Sequence, residues 1–482
     1  MDTEVIVAGA GPTGLTTALE LARRGVAVRL LDAAPAPFAG SRGKGLQPRS
    51  LELLDAVGGV TDRLVALGRS DLPVRRHGPG GEVQDEPGRA VPATPDTPWP
   101  STLLLPQWRV EQVLRERLAD FGVVPEQGVR VEDLAIGADG VEVATTAGTL
   151  RARHLVGADG GGSTVRRRLG VPFLGETRQE VRMVVADVEL EGLDRDHWHQ
   201  WGSPDPAPYS WVALCPLPAS PTWQLQAGPL DDREPDEAVL AEIVAARGPR
   251  VRLRTVAWRS VWRLNVRMVA DYRVGPVFLA GDAAHVHSPA GAQGMNTGIG
   301  DAVNLGWKLA AVLRGADPAL LDTYTAERLP VAAGVLGLSA ELTGQAMGAR
   351  TATQRRETSQ LALSYRGGPL GEPDGGAPGP RPGDRAPDAP TGTSTVFLRR
   401  READWTLLTT DTAVEVPGAT VVVVPAEGPA AATYALAPGE VVAIRPDGYV
   451  GPRGSADAVR AGMAVQSPAG HSSGGVTVGS SR

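Results

Sequence analysis

The stretch Val277–Leu313, VFLAGDAAHVHSPAGAQGMNTGIGDAVNLGWKLAAVL, decides the fold. VFLA is a short apolar run of the kind a parallel sheet buries on both faces. Gly281-Asp282 ends it and puts a carboxylate at the strand's carboxyl end, where open α/β sheets bind their ligands. The loop from Ser288 to Met295 carries Pro289, Gly291 and Gly294, which let its backbone approach a flat ligand. From Asn296 a helical period sets in through Ile299, Val303, Leu305, Leu309 and Val312, with Gly315 as its stop. The free N–H groups and positive end of that helix point at the loop and favour negative charge there.

The chain opens on a second anchor. Val5-Ile-Val-Ala reads as a buried strand, followed by Gly9-Ala-Gly11-Pro-Thr-Gly14 and a helix with Leu15, Ala18, Leu19 and Ala22 on one face. Gly25 closes the helix, and a second strand from Val26 ends in Asp32. This is a dinucleotide fingerprint in its required strand–turn–helix context. Gly9 allows the tight turn, Gly11 lets the backbone approach a pyrophosphate, and Gly14 lets helix and strand pack closely. Asp32 is placed to accept hydrogen bonds from a ribose. The fingerprint does not separate FAD from NAD. A third strand, Arg151 to Val156, runs into Gly157-Ala-Asp159-Gly160-Gly-Gly-Ser-Thr-Val-Arg166, again a carboxylate, glycines and a helix start. Arg166 reads either as a solvated basic residue or as a counter-charge for a phosphate.

With 482 residues the chain has core enough for two or three domains. A net charge of −7 argues against nucleic acid as a partner. No apolar run approaches the roughly 18 residues of a membrane span, and the N-terminus lacks the basic region of a signal peptide. The single cysteine, Cys215, excludes an intramolecular disulfide and any Cys-x-x-Cys motif. These features predict a soluble cytoplasmic protein. His285-Val-His287 lacks a third ligand, so no metal site is expected. There is no G-x-S-x-G elbow.

Between the anchors, Arg42 in Ser41-Arg-Gly-Lys either faces a cofactor or is solvated, and Gln107 either meets a ligand or caps a helix running to Leu118. Ser50 to Val57 reads as a short helix, and two strand-like pieces fall within 71–100. Met183 to Leu190, Trp211 to Leu217, Thr222 to Gln226 and Val256 to Arg263 read as strands of an antiparallel sheet. A helical stretch runs from Pro330 to Ala349. Past a Pro/Gly linker at 367–384, strands are expected at Thr395 to Arg400, Trp405 to Thr410, Thr420 to Pro425 and Val441 to Ile444, then a helix from Ala456 to Met463. The last residues, from Ser467, are Gly/Ser-rich and expected to be flexible.

GAGPTG, GADGGGSTVRRRLG and GDAAHVHSPAGAQGMNTGIGDAVNLGWKL, with SRG, Pro106-Gln107 and LDTYTAERLP, resemble the single-component, class A FAD-dependent aromatic hydroxylases. The resemblance is strongest to the branch that oxidises aromatic polyketides. It implies an α/β fold: a discontinuous Rossmann-type, glutathione-reductase-like FAD domain (1–72, 101–172 and 266–350), an inserted, mostly antiparallel β substrate domain (73–100 and 173–265), a linker at 367–384, a thioredoxin-like C-terminal domain without CxxC (385–466) and a flexible tail (467–482). It implies that Gly9, Gly11, Gly14 and Asp32 hold the ADP half of non-covalent FAD, and that Arg42 and Gln107 touch its middle. Asp282 would bind the ribityl chain, and Pro289 and His287 would lie near the flavin. Gly294, Met295 and Asn296 would meet its pyrimidine edge through their backbones. Asp159 and Gly160 would serve both FAD and NADPH, a transient electron donor.

The implied activity is hydroxylation of a polycyclic aromatic by O2 through a flavin C4a-hydroperoxide, in a monomer or homodimer. Catalytic side chains are not identified, since the chemistry centres on the flavin. Baeyer–Villiger oxygenation, inactivation of an aromatic antibiotic and a flavin-binding protein without turnover are the alternatives. A halogenase is disfavoured by the lack of a Trp-x-Trp pair. The Trp-rich sheet is expected to present a broad, apolar inner face, with Arg259 and Arg263 as the only candidates for a carboxylate clamp.

Overall fold

The computed structural model describes residues 1–88, 90–202, 208–287, 292–344, 357–372, 378–401, 404–464 and 466. Two compact units emerge. The first comprises residues 1–93, 99–302 and 328–361; the second comprises 94–98, 303–327 and 362–482.

In the first unit the three motif strands lie side by side. Thr3–Ala8 pairs in parallel with Gly148–Gly157 on one edge and with Val28–Asp32 on the other, and Gly148–Gly157 pairs in parallel with Val277–Leu279. Ala8, Gly157 and Leu279 are in register. The GAGPTG, GADG and GD loops therefore leave adjacent strands at the same end of one sheet. Val5, Ile6, Val7, Leu155, Val156, Val277 and Phe278 are fully buried, as strands covered on both faces must be.

A second, mostly antiparallel sheet of eight strands belongs to the same unit. Its centre is the pair Leu174–Glu191 and Arg252–Met268, followed by Trp223–Gly228, Trp211–Pro216 and Trp198–Gly202. The two strand-like pieces within 71–100 are Val74–His77 and Val83–Glu86, which close its far edge. One face packs Val184, Ala186, Val188, Val212, Leu214, Trp223 and Leu225 against the helix Glu237–Ala245.

The second unit holds a four-stranded sheet in the order Ala419–Val423, Trp405–Thr409, Val441–Ile444, Val450–Gly454. The expected strand at Thr395–Arg400 is instead a helix, Val396–Arg400. Thr395 Oγ1 accepts from Leu398 N and the Asp388 carboxylate accepts from Phe397 N, so capping overrides the β-propensity of the sequence. The helix expected from Asn296 starts two residues earlier, at Gly294, and the one expected from Pro330 starts at Thr323.

Five buried polar side chains cross-link this unit. Glu327 accepts from both terminal nitrogens of Arg445 at 2.7 and 2.8 Å and from Lys308 Nζ at 2.7 Å. Arg445 also donates to Asp447, and Asn304 to both carboxylates. Burial alone would raise the Glu327 carboxyl, but Arg445 and Lys308 hold it far below the usual range. Breaking a buried pair strands the surviving charge. Arg445→Met should therefore lower the unfolding free energy by about 3–5 kcal/mol, read as a lower urea midpoint by circular dichroism.

Candidate cofactor and substrate site

The fingerprint loop is shaped by contact. Gly9 turns with φ +101°, where a Cβ would sit 2.3 Å from Ala158 O. A Cβ on Gly14 would sit 1.7 Å from Gly9 O, so the helix Pro12–Ala22 rests directly on the loop. Gly11 differs: its Cβ direction is open, leaving its backbone accessible. Asp32 accepts from Ala10 N at 2.6 Å and Ala34 N at 2.8 Å. A carboxylate has about four acceptor sites, so capacity remains for a ribose.

Asp301 organises the GD loop. Its carboxylate accepts from Gly281 N at 3.0 Å, His285 Nε2 at 2.7 Å and Arg328 Nε at 2.7 Å. Burial would push its carboxyl up, yet Arg328 and then His285 hold it below the ordinary carboxylate range. With Gly281 held at φ +59°, Asp282 is turned outward, exposed and without a hydrogen bond or ion pair among the described residues. Nothing in the sequence reading singled out Asp301, His285 or Arg328 as an ensemble. The available signal was a carboxylate and a guanidinium embedded in otherwise apolar helix faces.

The GADG loop is engaged internally. Asp159 accepts from Ser163 Oγ, Thr164 N and Val165 N, capping the helix Thr164–Arg168. Arg166 is neither solvated nor free for a phosphate: it is buried, donates to Ala283 O and Gly161 O, and lies over Phe173. It thereby ties the GADG loop to the GD loop. Gly160 has open space at its Cβ direction.

Gln107 heads the helix Gln107–Asp120. Its Oε1 accepts from Gly43 N, and its Nε2 donates to Glu111, whose carboxyl burial pushes up to about 7. Arg42 is exposed, its guanidinium 5.1 Å from the Phe38 ring centroid. The Asn296 side chain is consumed by Gln47 N, Ser50 Oγ, Gly45 O and Ala292 O, leaving its backbone for any ligand. Gly294, Met295 and Asn296 are the first residues of Gly294–Leu313, so their N–H groups have no intrahelical acceptor. His287 borders this turn, with Nε2 3.5 Å from the Cβ direction of Gly294. Pro289 lies outside the described residues.

A protein-family model described as "FAD binding domain" matches residues 2–339. The chain belongs to that family. It is 42% identical over 463 residues, 93% of this chain and 96% of the relative, to a flavin-dependent monooxygenase of Mycobacteroides abscessus. It is also 42% identical over 349 residues, 69% of this chain and 60% of the relative, to the 6-methylpretetramide 4-monooxygenase of Streptomyces rimosus. The solved ternary complex of aklavinone-11 hydroxylase with FAD and aklavinone superposes with a TM-score of 0.79 at 26% identity, covering 96% of this chain and 99% of that one. This member of the family is a FAD-dependent monooxygenase with a mixed α/β fold. No helix among the described residues is long and apolar enough to cross a membrane.

The residues present fit FAD. An open backbone at Gly11, an acidic strand end at Asp32, an unengaged Asp282 carboxylate, an exposed Arg42 and a helix N-terminus at Gly294 are complementary to a pyrophosphate, hydroxyls and a ring that takes on negative charge. Asp301 holds the loop, and Asp282 has its carboxylate open to a ligand. A charged hydrogen bond contributes about 1.5–3 kcal/mol, so Asp282→Ala should weaken FAD binding about tenfold or more without changing apoprotein stability. Asp301→Ala strands the Arg328 charge and should lower stability by roughly 3–5 kcal/mol. FAD titration and chemical denaturation of both variants separate the two roles.

Proposed function

We propose that this monooxygenase takes electrons from NADPH and hydroxylates a polycyclic, polyketide-like aromatic ring. In this reading Gly9, Gly11, Gly14 and Asp32 hold the ADP half of FAD, Arg42 and Gln107 its middle, and Asp282 its ribityl hydroxyls. Gly294, Met295 and Asn296 meet the ring edge through backbone N–H groups, and Pro289 borders it. Asp159, spent on its cap, shapes the loop in which Gly160 turns. Bound FAD supplies the redox and oxygen-activating chemistry. The protein contributes a positive helix end facing developing charge, a dry face for the aromatic ring and a pose fixed by a few polar groups.

The observation that carries the substrate class is the sheet face away from the Trp223 core. Two successive rows across its strands are Ala213, Gln226, Val185, Ser260 and Trp211, Gly228, Met183, Trp262. Gln226, Ser260, Trp211, Met183 and Trp262 are partly exposed. The face is more polar than its tryptophans alone suggest, since glutamine and serine interrupt the apolar rows. By strand alternation Arg259 and Arg263 project to the opposite face, and both are exposed. No arginine clamp for a small carboxylated phenol is therefore supported, whereas a broad ring system held by area and a few hydrogen bonds is. We further infer the division into FAD, substrate and thioredoxin-like domains set out above, the last structural because the chain's one cysteine lies outside it.

Purified protein should oxidise NADPH faster with a polyhydroxylated tetracyclic aromatic than without, giving a product one oxygen heavier. Para-hydroxybenzoate should neither accelerate oxidation nor be converted. Coupled hydroxylation of that acid would overturn the substrate class. A lactone in the product, read by NMR, would mark Baeyer–Villiger chemistry, and FAD binding without any stimulated oxidation would mark a binding protein.

A further inference from the structure

One row of the same sheet face is unlike the others. Cys215 opposes Gln224, Gln224 opposes Asp187, and Asp187 opposes Trp258, while Trp198 extends the row beside Cys215. The segment Phe38–Lys44 lies across it. Phe38 meets Trp258 edge-on at 5.3 Å, and a Cβ on Gly40 would strike that indole at 2.4 Å. Gln224 Nε2 donates to Ser41 O, and Lys44 Nζ donates to Gln224 Oε1 at 2.5 Å. The ammonium stands 4.5 Å from the Trp198 ring centroid.

Two groups at this row are under-satisfied. Asp187 is 1% exposed, and among the described residues its oxygens have no close hydrogen bond, only the pull of the Ser41 hydroxyl and backbone N–H. Lys44 has three N–H donors, and its one hydrogen bond among the described residues is the one to Gln224. The neighbours of Lys44 face the cofactor side: Gly43 N is bonded to Gln107, and Gly45 O accepts from Asn296. Lys44 thus turns its charge toward the sheet from the segment that joins the candidate flavin site to the substrate face. Stapling this segment to the sheet explains the bond to Gln224 and the approach of Ser41 to Asp187, but not a lysine ammonium with N–H donors to spare.

We propose that Lys44 is the cationic anchor for an ionised ring hydroxyl of the substrate, with Asp187 as the positioning residue that keeps its ammonium charged. The proposal rests on the aromatic-substrate reading above. The substrate's O–H bond breaks, its proton leaves to solvent, and the oxygen keeps the electron pair and faces the ammonium. A ring bearing that charge is richer in electrons and so more open to oxygenation.

The surrounding charges agree. Burial lowers the Lys44 ammonium pKa and the Asp187 charge opposes that. Burial pushes Asp187 up to about 6, against the pull of Ser41 and Lys44, so it is ionised at neutral pH. The Cys215 thiol is pushed up to about 11 and stays neutral. Arg195 lies over Trp223, on the opposite face.

The test uses the holoenzyme and 1,4-dihydroxyanthraquinone, whose ionisation changes its colour outside the flavin bands. In the wild type the bound probe should ionise about one to three pH units below the free probe, the effect of a close opposite charge. Lys44→Met should abolish the shift and weaken binding above neutral pH about tenfold, Lys44→Arg should keep it, and the isosteric Asp187→Asn should shrink it. A second readout needs no probe. Because folding raises the Asp187 pKa, its contribution to stability is present below about pH 4 and is lost as pH rises toward 6. Asp187→Asn should flatten that part of the melting-temperature profile. Binding with an unshifted probe, or a shift that survives Lys44→Met, overturns the anchor alone. A wild type that binds no aromatic probe overturns the substrate reading and the anchor with it.

Discussion

The carboxylate of Asp301 is the constraint on which the cofactor end of the molecule depends. A buried charge is tolerated only when it is paired and hydrogen-bonded. Here the pairing comes from three directions: the loop backbone at Gly281, the imidazole of His285 and the guanidinium of Arg328. Arg328 also reaches Thr297 O, and a Cβ on Gly300 would lie 2.7 Å from its terminal nitrogen. One ion pair thus fixes the start of the long helix, the turn after the strand and the outward direction of Asp282. The favourable Coulomb term and the cost of leaving any member alone both act on a single geometry. The loop is thereby held in place by the protein's own groups, as a preorganised binding site requires.

Much of this architecture was legible in the chain. Glycines at fixed offsets after apolar runs located three loops, and the parallel register of Ala8, Gly157 and Leu279 explains how motifs so far apart in sequence come to one end of a sheet. What was not legible has a common cause. The sequence marked Asp159 and Gln107 as polar groups beside a ligand, but not that their side chains also hold a helix cap and a loop. Sequence shows that a group is polar and near the right place, but not whether a backbone amide reaches it first. The strand expected at Thr395–Arg400 failed similarly, because two capping acceptors outweighed local propensity. Lys44 and Asp187 were passed over because they lie 143 positions apart in the chain, and only the segment laid across the sheet brings the ammonium to the row that holds Asp187.

The second unit repeats the use of a buried ion pair. Its centre is ionic as well as apolar: Trp307 meets Trp405 edge-on, and the Arg445 guanidinium lies 5.5 Å from the Trp307 ring centroid while it holds Glu327 and Asp447. Removing any one member of such a network leaves a buried charge unpaired.

The close fit around Thr13 has a consequence for laboratory evolution. Its hydroxyl occupies the space that a Cβ on Gly281 or Gly298 would need, at 2.5 and 2.2 Å, and Gly14 leaves even less room. Random libraries covering these positions would consist mostly of misfolded clones, whatever the screen. Gln226, Ser260 and Trp262 of the sheet are instead partly open to solvent. Under the proposed substrate reading, a campaign to change which rings are oxidised has its usable diversity there, away from the glycine-packed loops.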